Sequence, residues 1–410
     1  MKKIICILSI MCSIAFSSCN KYECERKPKM AKPDIQSVKN QPSYIVASDV
    51  VTACVTQTGG HIGPIKFRVG NKEISPLSVS PWWNEKLPDD MPNVVRVLRG
   101  DLFCLPFGIN AEPYNGERHP VHGETANNIW KFEEFHRNDK EIQLHLSMQT
   151  TIRKGRVDKY VRLIPGQNIV YQRDIISNMS GPMPLGHHVM VKIPDYPNSA
   201  FYSCSPFSYA QVAVREVELP ENKGYSRLKT AEIVNDLKRV PNIFGGYDNM
   251  TVYPSAKGYE DVISVASTPE NKIAWNVMVF PKEKYLFFTL RDPNILRSTM
   301  LWISNGGRYY APWNGRHTNV LGIEDYTGFY HYGLADAVGE NVHNQKGIRT
   351  VVELSETSPL AVNYIFGIAE IPENFGRVVN INFDADKMAF YDEASNSVSI
   401  DIDLGFLSLK

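Results

Sequence analysis

The sequence predicts an all-β protein, and three observations carry that prediction. Apolar and polar residues alternate from residue 141 to 152, which is the pattern of a half-buried strand. The runs 157–164 and 169–176 are rich in β-branched and aromatic residues. Glycine, proline and asparagine punctuate these runs at short intervals, as turns between strands require.

The chain begins with the pattern of an export signal. Two lysines precede an apolar run from residue 4 to 16, which is too short to span a bilayer. The Phe-Ser-Ser-Cys sequence ending at Cys19 resembles the lipobox of bacterial lipoproteins, whose cysteine is lipidated. We therefore expect a signal peptide over 1–18, a polar tether over 19–42, and a lipid-anchored protein in the bacterial cell envelope. Simple secretion, with Cys19 an ordinary residue, is the alternative.

The remaining residues, 43–410, are expected to form one domain. The segments 261–291, 350–371 and 378–407 continue the pattern of short strands separated by turns. One segment differs, because apolar residues recur at helical spacing from 226 to 238 and predict a helix there.

Composition excludes several classes of protein. Lysine plus arginine and aspartate plus glutamate each number 44, so no basic surface for nucleic acid is expected. The cysteines beyond Cys19 are widely spaced and form no CxxC pair, which argues against a zinc ribbon or a disulfide scaffold and favours buried free thiols: Cys24, Cys54, Cys104 and Cys204. No phosphate-binding glycine loop of a nucleotide-binding protein is present.

Three segments combine histidine, arginine or carboxylate side chains with turn-forming residues, which is typical of loops that line clefts. The segment 99–130 starts at Arg99-Gly, passes through Leu-Pro-Phe-Gly and reaches His122-Gly and a tryptophan. The segment 178–189 contains Leu-Gly-His187-His188, and the segment 313–325 contains His317, Glu324 and Asp325.

In this order the segments resemble the aldose 1-epimerase (galactose mutarotase-like) superfamily. Its members have an arginine–glycine segment leading to Pro-x-Phe-Gly, then His-Gly before an aromatic residue, a later histidine, and a glutamate in an apolar strand near the C-terminus. The resemblance covers about residues 45–400. It implies a supersandwich, in which two large antiparallel sheets pack face to face, with a sugar site on the concave side.

The resemblance also implies the chemistry of sugar mutarotation, without a cofactor. Glu324 would be the base that takes the proton of the anomeric hydroxyl, and His188 the acid that protonates the ring oxygen. A carboxylate and an imidazole suit these roles near neutral pH. The two groups are expected to flank one sugar ring from opposite sides, no more than roughly 12 Å apart. His122 and Arg99 would hold sugar oxygens.

Three further residues are candidates for substrate binding: His187, His317 and Asp325. Successive side chains of a strand face opposite sides, so His187 and His188 are not expected to enter one cleft together. The family motif selects His188. If Gly186 loosens the strand, His187 takes the role instead.

Departures from the family pattern narrow the substrate and leave alternatives open. Ala126 stands where the sugar-phosphate branch has an arginine, so an unphosphorylated neutral sugar or uronic acid is expected. The asparagine before the family's histidine is replaced by His187, which leaves catalysis open. A non-catalytic glycan-binding lipoprotein, and a polysaccharide lyase or hydrolase using the same cleft, are the alternatives.

Tryptophans and a histidine cluster admit two interpretations each. Three tryptophans provide flat faces for sugar stacking or else pack in the core: Trp82, Trp83 and Trp313.

A metal centre built on His119, His122 and Glu124 is a competing chemistry. Because Pro120 and Gly123 oppose a helix, this is not the helical zinc motif, and we expect no metal site.

Overall fold

The alternating and continuously apolar segments form antiparallel strands through most of the chain. The structure is a computed structural model that describes residues 33–408. The predicted signal peptide, Cys19, Cys24 and the first part of the predicted tether lie outside the described residues.

The strands of the first half, in chain order, are β1 (Asp34–Val38), β2 (Gln41–Ala47), β3 (Val51–Thr56), β4 (Ile62–Val69), β5 (Lys72–Ile74), β6 (Phe103–Cys104), β7 (Lys131–Arg137), β8 (Ile142–Thr150), β9 (Gly155–Leu163), β10 (Ile169–Ser177), β11 (Gly181–Met183), β12 (Leu185–His187), β13 (Val189–Lys192) and β14 (Ala200–Cys204). Those of the second half are β15 (Phe207–Val212), β16 (Val240–Pro241), β17 (Tyr247–Asp248), β18 (Val252–Tyr253), β19 (Tyr259–Ser267), β20 (Ala274–Phe280), β21 (Tyr285–Arg291), β22 (Ser298–Asn305), β23 (Val320–Thr327), β24 (Val352–Leu354), β25 (Leu360–Glu370), β26 (Val378–Asp384), β27 (Lys387–Asp392) and β28 (Ser397–Asp401). The α-helices of the described residues are α1 (Asn93–Val97) and α2 (Leu334–Val338), and the 3₁₀ turns are Glu124–Ala126, Pro220–Asn222, Asn344–Lys346 and Leu404–Ser408.

Residues 33–408 form four sheets of three or more strands and two strand pairs. The N-terminal sheet runs β1-β2-β3-β4-β5, and the C-terminal sheet runs β26-β27-β28. The nine-stranded back sheet has the order β18-β14-β20-β21-β25-β10-β9-β8-β7. The seven-stranded site sheet has the order β15-β19-β22-β23-β12-β6, with β13 also paired to β23. The two strand pairs, β11-β24 and β16-β17, are separate from these four sheets.

Three apolar clusters stack these sheets into layers. The largest joins one face of the site sheet to the back sheet and the N-terminal sheet, with side chains such as Ile323, Phe366 and Phe67. The second covers the other face of the site sheet, where loops fold over residues such as Trp302. The third lies between the outer face of the back sheet and the C-terminal sheet, and includes Phe390. The prediction of an all-β sandwich of two large antiparallel sheets is confirmed.

The structure corrects one predicted element and moves one boundary. The helix prediction over 226–238 is wrong, since this segment is irregular and its amides bond to neighbouring chain, for example Val234 N to Ala210 O. Leu228, Val234 and Leu237 are buried as expected, but Ala231 is exposed and adopts a left-handed backbone (φ 61°) that no α-helix contains. At the N-terminus, β1 lies inside the predicted tether, so the folded part starts before residue 43.

The structure also shows the state of three cysteines and the lengths of the helices. Cys54 and Cys104 are buried free thiols, and Cys204 is a half-buried one. Among residues 33–408, no helix has the length and apolar character needed to cross a membrane.

Candidate active site

A pocket of about 660 Å³ opens on the loop-covered face of the site sheet. The floor of the pocket is formed by side chains of β19, β22 and β23. The pairing of these strands places the side chains on the same face of the sheet. Met300 of β22 lies directly opposite Glu324 of β23, and Val262 of β19 lies opposite Trp302 of β22. Residues paired directly across an antiparallel ladder point to the same side of the sheet. The floor therefore carries Glu324 among large apolar side chains.

Gly322 makes this floor possible. A Cβ atom at this position would lie 2.8 Å from Glu324 Oε1 and 2.9 Å from Trp302 Cβ, closer than real Cβ contacts come. The missing side chain thus leaves room for the carboxylate of Glu324 and the indole of Trp302 side by side.

Glu324 and His188 are in contact. His188 Nε2 lies 3.4 Å from Glu324 Oε1, and both side chains are buried. His188 occupies the break between β12 and β13, where its amide bonds to Leu102 O (2.9 Å) and to Asp101 Oδ1 (3.1 Å). Two groups in contact cannot stand on opposite sides of one sugar ring, so the expected flanking arrangement is wrong, while their separation is well within the roughly 12 Å limit.

Burial sets the protonation of this pair. It raises the pKa of the Glu324 carboxyl well above its usual range, while the charge of Arg308 acts in the opposite direction. Burial also lowers the pKa of His188 well below its usual range, and the nearby His122 adds to this effect. Both shifts favour the uncharged forms, a protonated Glu324 carboxyl beside a neutral His188 ring.

His122 also faces the pocket, where its ring meets that of His188 edge-on with the centroids 5.0 Å apart. Its left-handed backbone (φ 59°) is held by its amide, which donates to Gly108 O, and its Nδ1 lies 3.4 Å from the Gly108 amide. Gly123 follows in a conformation (φ 76°) where a Cβ atom would lie 1.8 Å from Leu105 O. Burial lowers the pKa of His122 to about 4, so the ring is neutral at pH 7.

The sequence analysis missed several pocket residues, among them the polar side chains Glu218, Arg308 and His331. Arg308 Nε donates to Glu218 Oε1 at 2.5 Å, and the guanidinium lies 4.5 Å from the centroid of Trp313. Burial, with Arg308 adding to it, lowers the pKa of His331 to about 3. None of the three lies in a motif of the resemblance. For Arg308 the preceding turn residues Gly306 and Gly307 were an available signal, and Glu218 and His331 had no comparable one.

Trp302 forms the rear wall and is held by a buried carboxylate. Trp302 Nε1 donates to Glu260 Oε2 (2.9 Å), and Ser304 Oγ donates to Glu260 Oε1 (2.9 Å). His317 stacks on Trp302 at 5.3 Å and its Nδ1 lies 2.7 Å from Ser304 Oγ. His317 therefore supports the wall from behind and does not line the pocket.

Four predicted binding residues are thus placed away from the pocket, and for His187 and Asp325 the cause is strand alternation. His187 turns into the core, where Nδ1 lies 3.0 Å from Asp101 Oδ2 and the ring stacks on Tyr364 at 4.1 Å. The prediction that the two adjacent histidines face opposite sides is confirmed. Asp325 likewise faces the core and pairs with Arg291 Nη1 at 2.5 Å.

Arg99 is the fourth. Its Nε donates to Val97 O, and its two terminal nitrogens donate to Val38 O and Lys39 O at 2.9 and 3.0 Å. The side chain thereby clamps the turn between β1 and β2, and the expectation that it holds sugar oxygens does not match this position.

Only some of the tryptophans and of the candidate metal ligands lie at the pocket. Trp313 lines the pocket, but Trp82 is buried beside it and Trp83 lies beneath Lys39 outside it. His119 pairs with Glu117 Oε2 at 2.9 Å, and Glu124 accepts hydrogen bonds from the amides of residues 151 and 152. Within residues 33–408 no group of three or more histidine, cysteine or acidic side chains is arranged to hold a metal ion.

Comparison with known proteins establishes the fold. A galactose mutarotase-like protein from Clostridium acetobutylicum superposes with a TM-score of 0.55 at 11% identity, covering 83% of this chain and 99% of that one. The Slr1438 protein from Synechocystis gives 0.53 at 12% identity over 88% and 100% of the chains. A galactose mutarotase-like protein from Lactobacillus casei gives 0.50 at 11% identity over 80% and 100%. No protein-family model matches the chain, and no curated protein matches it. The protein therefore has the galactose mutarotase-like fold, and identities this low carry no activity with them.

Proposed function

We propose that this protein binds a sugar in the pocket on the site sheet and interconverts its anomers, as an aldose 1-epimerase does. The observation that carries the proposal is the contact of 3.4 Å between His188 Nε2 and Glu324 Oε1 on the pocket floor. A carboxyl group and an imidazole that share one proton form the acid–base pair that mutarotation needs. The fold of the neighbours supports the sugar ligand by analogy.

The proposed reaction begins with the proton on Glu324. Glu324 donates it to the ring oxygen while His188 takes the proton of the anomeric hydroxyl, and the C1–O5 bond breaks to give the open-chain aldehyde. The resulting carboxylate and imidazolium attract each other in a buried site. After rotation about the C1–C2 bond, His188 returns its proton to the carbonyl oxygen and Glu324 recovers its own as the ring closes.

This order of proton transfer differs from the roles that the resemblance implies. Glu324 was expected to start as the base and His188 as the acid. Because burial favours the neutral forms of both groups, Glu324 starts as the acid in our proposal. The two groups exchange roles between ring opening and ring closure, so the same pair serves in either order.

The test is polarimetry of freshly dissolved α-anomers of glucose, galactose and glucuronic acid with the purified folded domain. We expect acceleration of mutarotation that falls by at least about 100-fold in Glu324→Gln, since general acid–base catalysis contributes about that much. Glu283→Gln, in the turn between β20 and β21 and outside the pocket, is the matched control. Sugar binding without any acceleration would favour the glycan-binding alternative, and release of product from a polysaccharide would favour a lyase or hydrolase.

We also propose that the protein is exported and anchored in the cell envelope through Cys19. The support is the N-terminal sequence alone, with its short apolar run and Phe-Ser-Ser-Cys ending. Labelling with a fatty-acid analogue should mark the wild-type chain and fail to mark Cys19→Ala. An unlabelled wild-type chain in the culture medium would instead indicate simple secretion.

A further inference from the structure

Beside the aromatic wall formed by Trp302 and Trp313, part of the pocket wall is aliphatic, and a bare sugar ring does not explain that part. Around the floor that carries Glu324 stand aliphatic side chains from helix α1 and its C-terminal end and from three loops, which we call the apolar wall: Val94, Val95, Leu98, Ile109, Val121 and Val217. All of them lie before β6, between β6 and β7, or after β15, so the wall is assembled from segments distant in sequence. Sugars are usually held by aromatic faces and hydrogen-bonding groups, and aliphatic side chains offer them neither.

The wall is accessible from the pocket. Val94 and Leu98 are buried in the cluster on this face of the site sheet, while Val95, Val121 and Val217 pack against that cluster and remain half-exposed. Ile109 is 45% exposed, although its amide is fixed by a hydrogen bond to His331 O (2.7 Å). Exposed aliphatic side chains around a concave site mark the place where apolar ligand surface is buried.

The size and charge of the pocket agree with this interpretation. A volume of about 660 Å³ is in the range that encloses a ligand larger than one sugar ring. Arg308 is the one lysine or arginine among the described lining residues, and its Nε is bonded to Glu218. The pocket therefore lacks the cluster of cations that a phosphorylated or polyanionic ligand needs.

We propose that the ligand of this pocket is a sugar that carries an apolar alkyl, acyl or aryl substituent, with the sugar ring over Glu324 and His188 and the substituent against the apolar wall. The inference rests on the proposed sugar site and names its class of ligand. In any substrate that the pair turns over, the substituent lies away from C1, because C1 must carry the free hydroxyl.

The test measures binding by calorimetry with matched probes that differ in chain length. Octyl and methyl β-glycosides place the chain at C1, and 6-O-octanoyl and 6-O-acetyl sugars place it at C6, each for glucose and galactose. For at least one attachment we expect the long chain to bind at least about tenfold more tightly, the gain from burying roughly two methylene groups. Equal affinity of the long and short probes at both positions would overturn the proposal.

A pair of variants assigns the effect to the wall. Val121→Thr keeps the shape of the side chain and adds a hydroxyl group, and Ile109→Thr keeps the branching at Cβ but replaces the ethyl group by a hydroxyl. With both substitutions the advantage of the long probe should fall at least about threefold. Ile129→Thr alters an exposed isoleucine outside the pocket and should leave the advantage unchanged. If all three proteins show the same advantage, the chain binds elsewhere and the proposal fails.

The outcomes also separate this inference from the proposed function. Tighter binding of the long probe without acceleration of mutarotation would retain the ligand class and reject the epimerase activity. Acceleration of free sugars without any preference for the long probe would do the reverse.

Discussion

Glu260 holds the rear wall of the pocket through its hydrogen bonds to Trp302 and Ser304, and it is fully buried. Burial raises the pKa of this carboxyl from 4.5 to about 7, while Arg308 and the two hydrogen bonds act in the opposite direction. In the unfolded chain the group ionises near its ordinary pKa. Between about pH 4.5 and 7 the folded chain thus holds a proton that the unfolded chain has lost.

This difference predicts how stability depends on pH. The free energy of unfolding loses a contribution of up to about 3 kcal/mol as pH rises from 4.5 through 7. Glu260→Gln removes the titrating group, so the variant should gain stability relative to wild type by about that amount between pH 4.5 and 8. Urea unfolding of both proteins at the two pH values measures the change.

The matched control is Glu373→Gln, which alters a carboxylate that is largely in solvent. It should leave the difference between the two pH values as it is in the wild type. A constant stability difference between Glu260→Gln and wild type at both pH values would show that the Glu260 carboxyl does not titrate in this range.

Strand β23 places the pocket carboxyl and a core carboxylate on opposite faces through the alternation of its side chains. Glu324 points to the pocket, and Asp325 points into the core, where it accepts hydrogen bonds from Thr289 (2.8 Å), Thr299 (2.6 Å) and Tyr364 (2.9 Å) and pairs with Arg291. Both members of this ion pair are buried. Removal of one partner leaves the other charge buried and unpaired.

The alternation predicts opposite effects for two neighbouring substitutions. Asp325→Asn should lower the free energy of unfolding by about 3–5 kcal/mol, because Arg291 loses its counter-ion. Its mutarotation rate per folded molecule should stay close to wild type. Glu324→Gln should change stability by about 1 kcal/mol or less, since it replaces a neutral buried carboxyl with a neutral amide. Under the proposed function it should slow mutarotation by at least about 100-fold.

Urea unfolding and polarimetry, made on both variants under conditions where each is folded, provide the measurement. A stable Asp325→Asn protein that lacks activity would place Asp325 in the chemistry after all. Wild-type stability and wild-type activity together in Asp325→Asn would contradict the role of the ion pair.

The elements also show where sequence reasoning succeeds. The alternation of apolar and polar residues predicted strands. It also placed His187 and His188 on opposite faces, because successive side chains of an extended chain point to opposite sides. It could have excluded Asp325 by the same rule, since Glu324 and Asp325 are adjacent. The helix predicted over 226–238 failed because helical spacing of apolar residues is also satisfied by an irregular segment that packs along β15.

The rest of the site depends on contacts between segments distant in sequence. Arg308 reaches the pocket because the segment 218–224 pairs with the loop after β22, and Gly224 forms a bridge with Arg308. Arg99 was expected in the site because of its motif, yet the turn between β1 and β2 supplies its partners. Neither arrangement has a local signal, so both needed the tertiary structure.

At the scale of the whole molecule, the layers keep the site away from much of the stabilising core. The C-terminal sheet covers the outer face of the back sheet, where Phe390 meets Phe288 with ring centroids 5.4 Å apart. The pocket lies on the far face of the site sheet. Since packed sheets are about 10 Å apart, two layers put roughly 20 Å between this contact and the reacting groups.

This layering predicts that the outer cluster contributes to stability without affecting catalysis. Phe390 is fully buried, so Phe390→Ala should lower the free energy of unfolding by about 3–5 kcal/mol through lost burial and the cavity that remains. The kcat and KM of mutarotation should stay within about twofold of wild type below the unfolding transition. Val379→Ala, which shortens an exposed side chain of β26, should change stability by less than about 0.5 kcal/mol. A selective rise in KM for Phe390→Ala, with stability unchanged, would mean that the C-terminal sheet is coupled to the pocket through the two intervening layers.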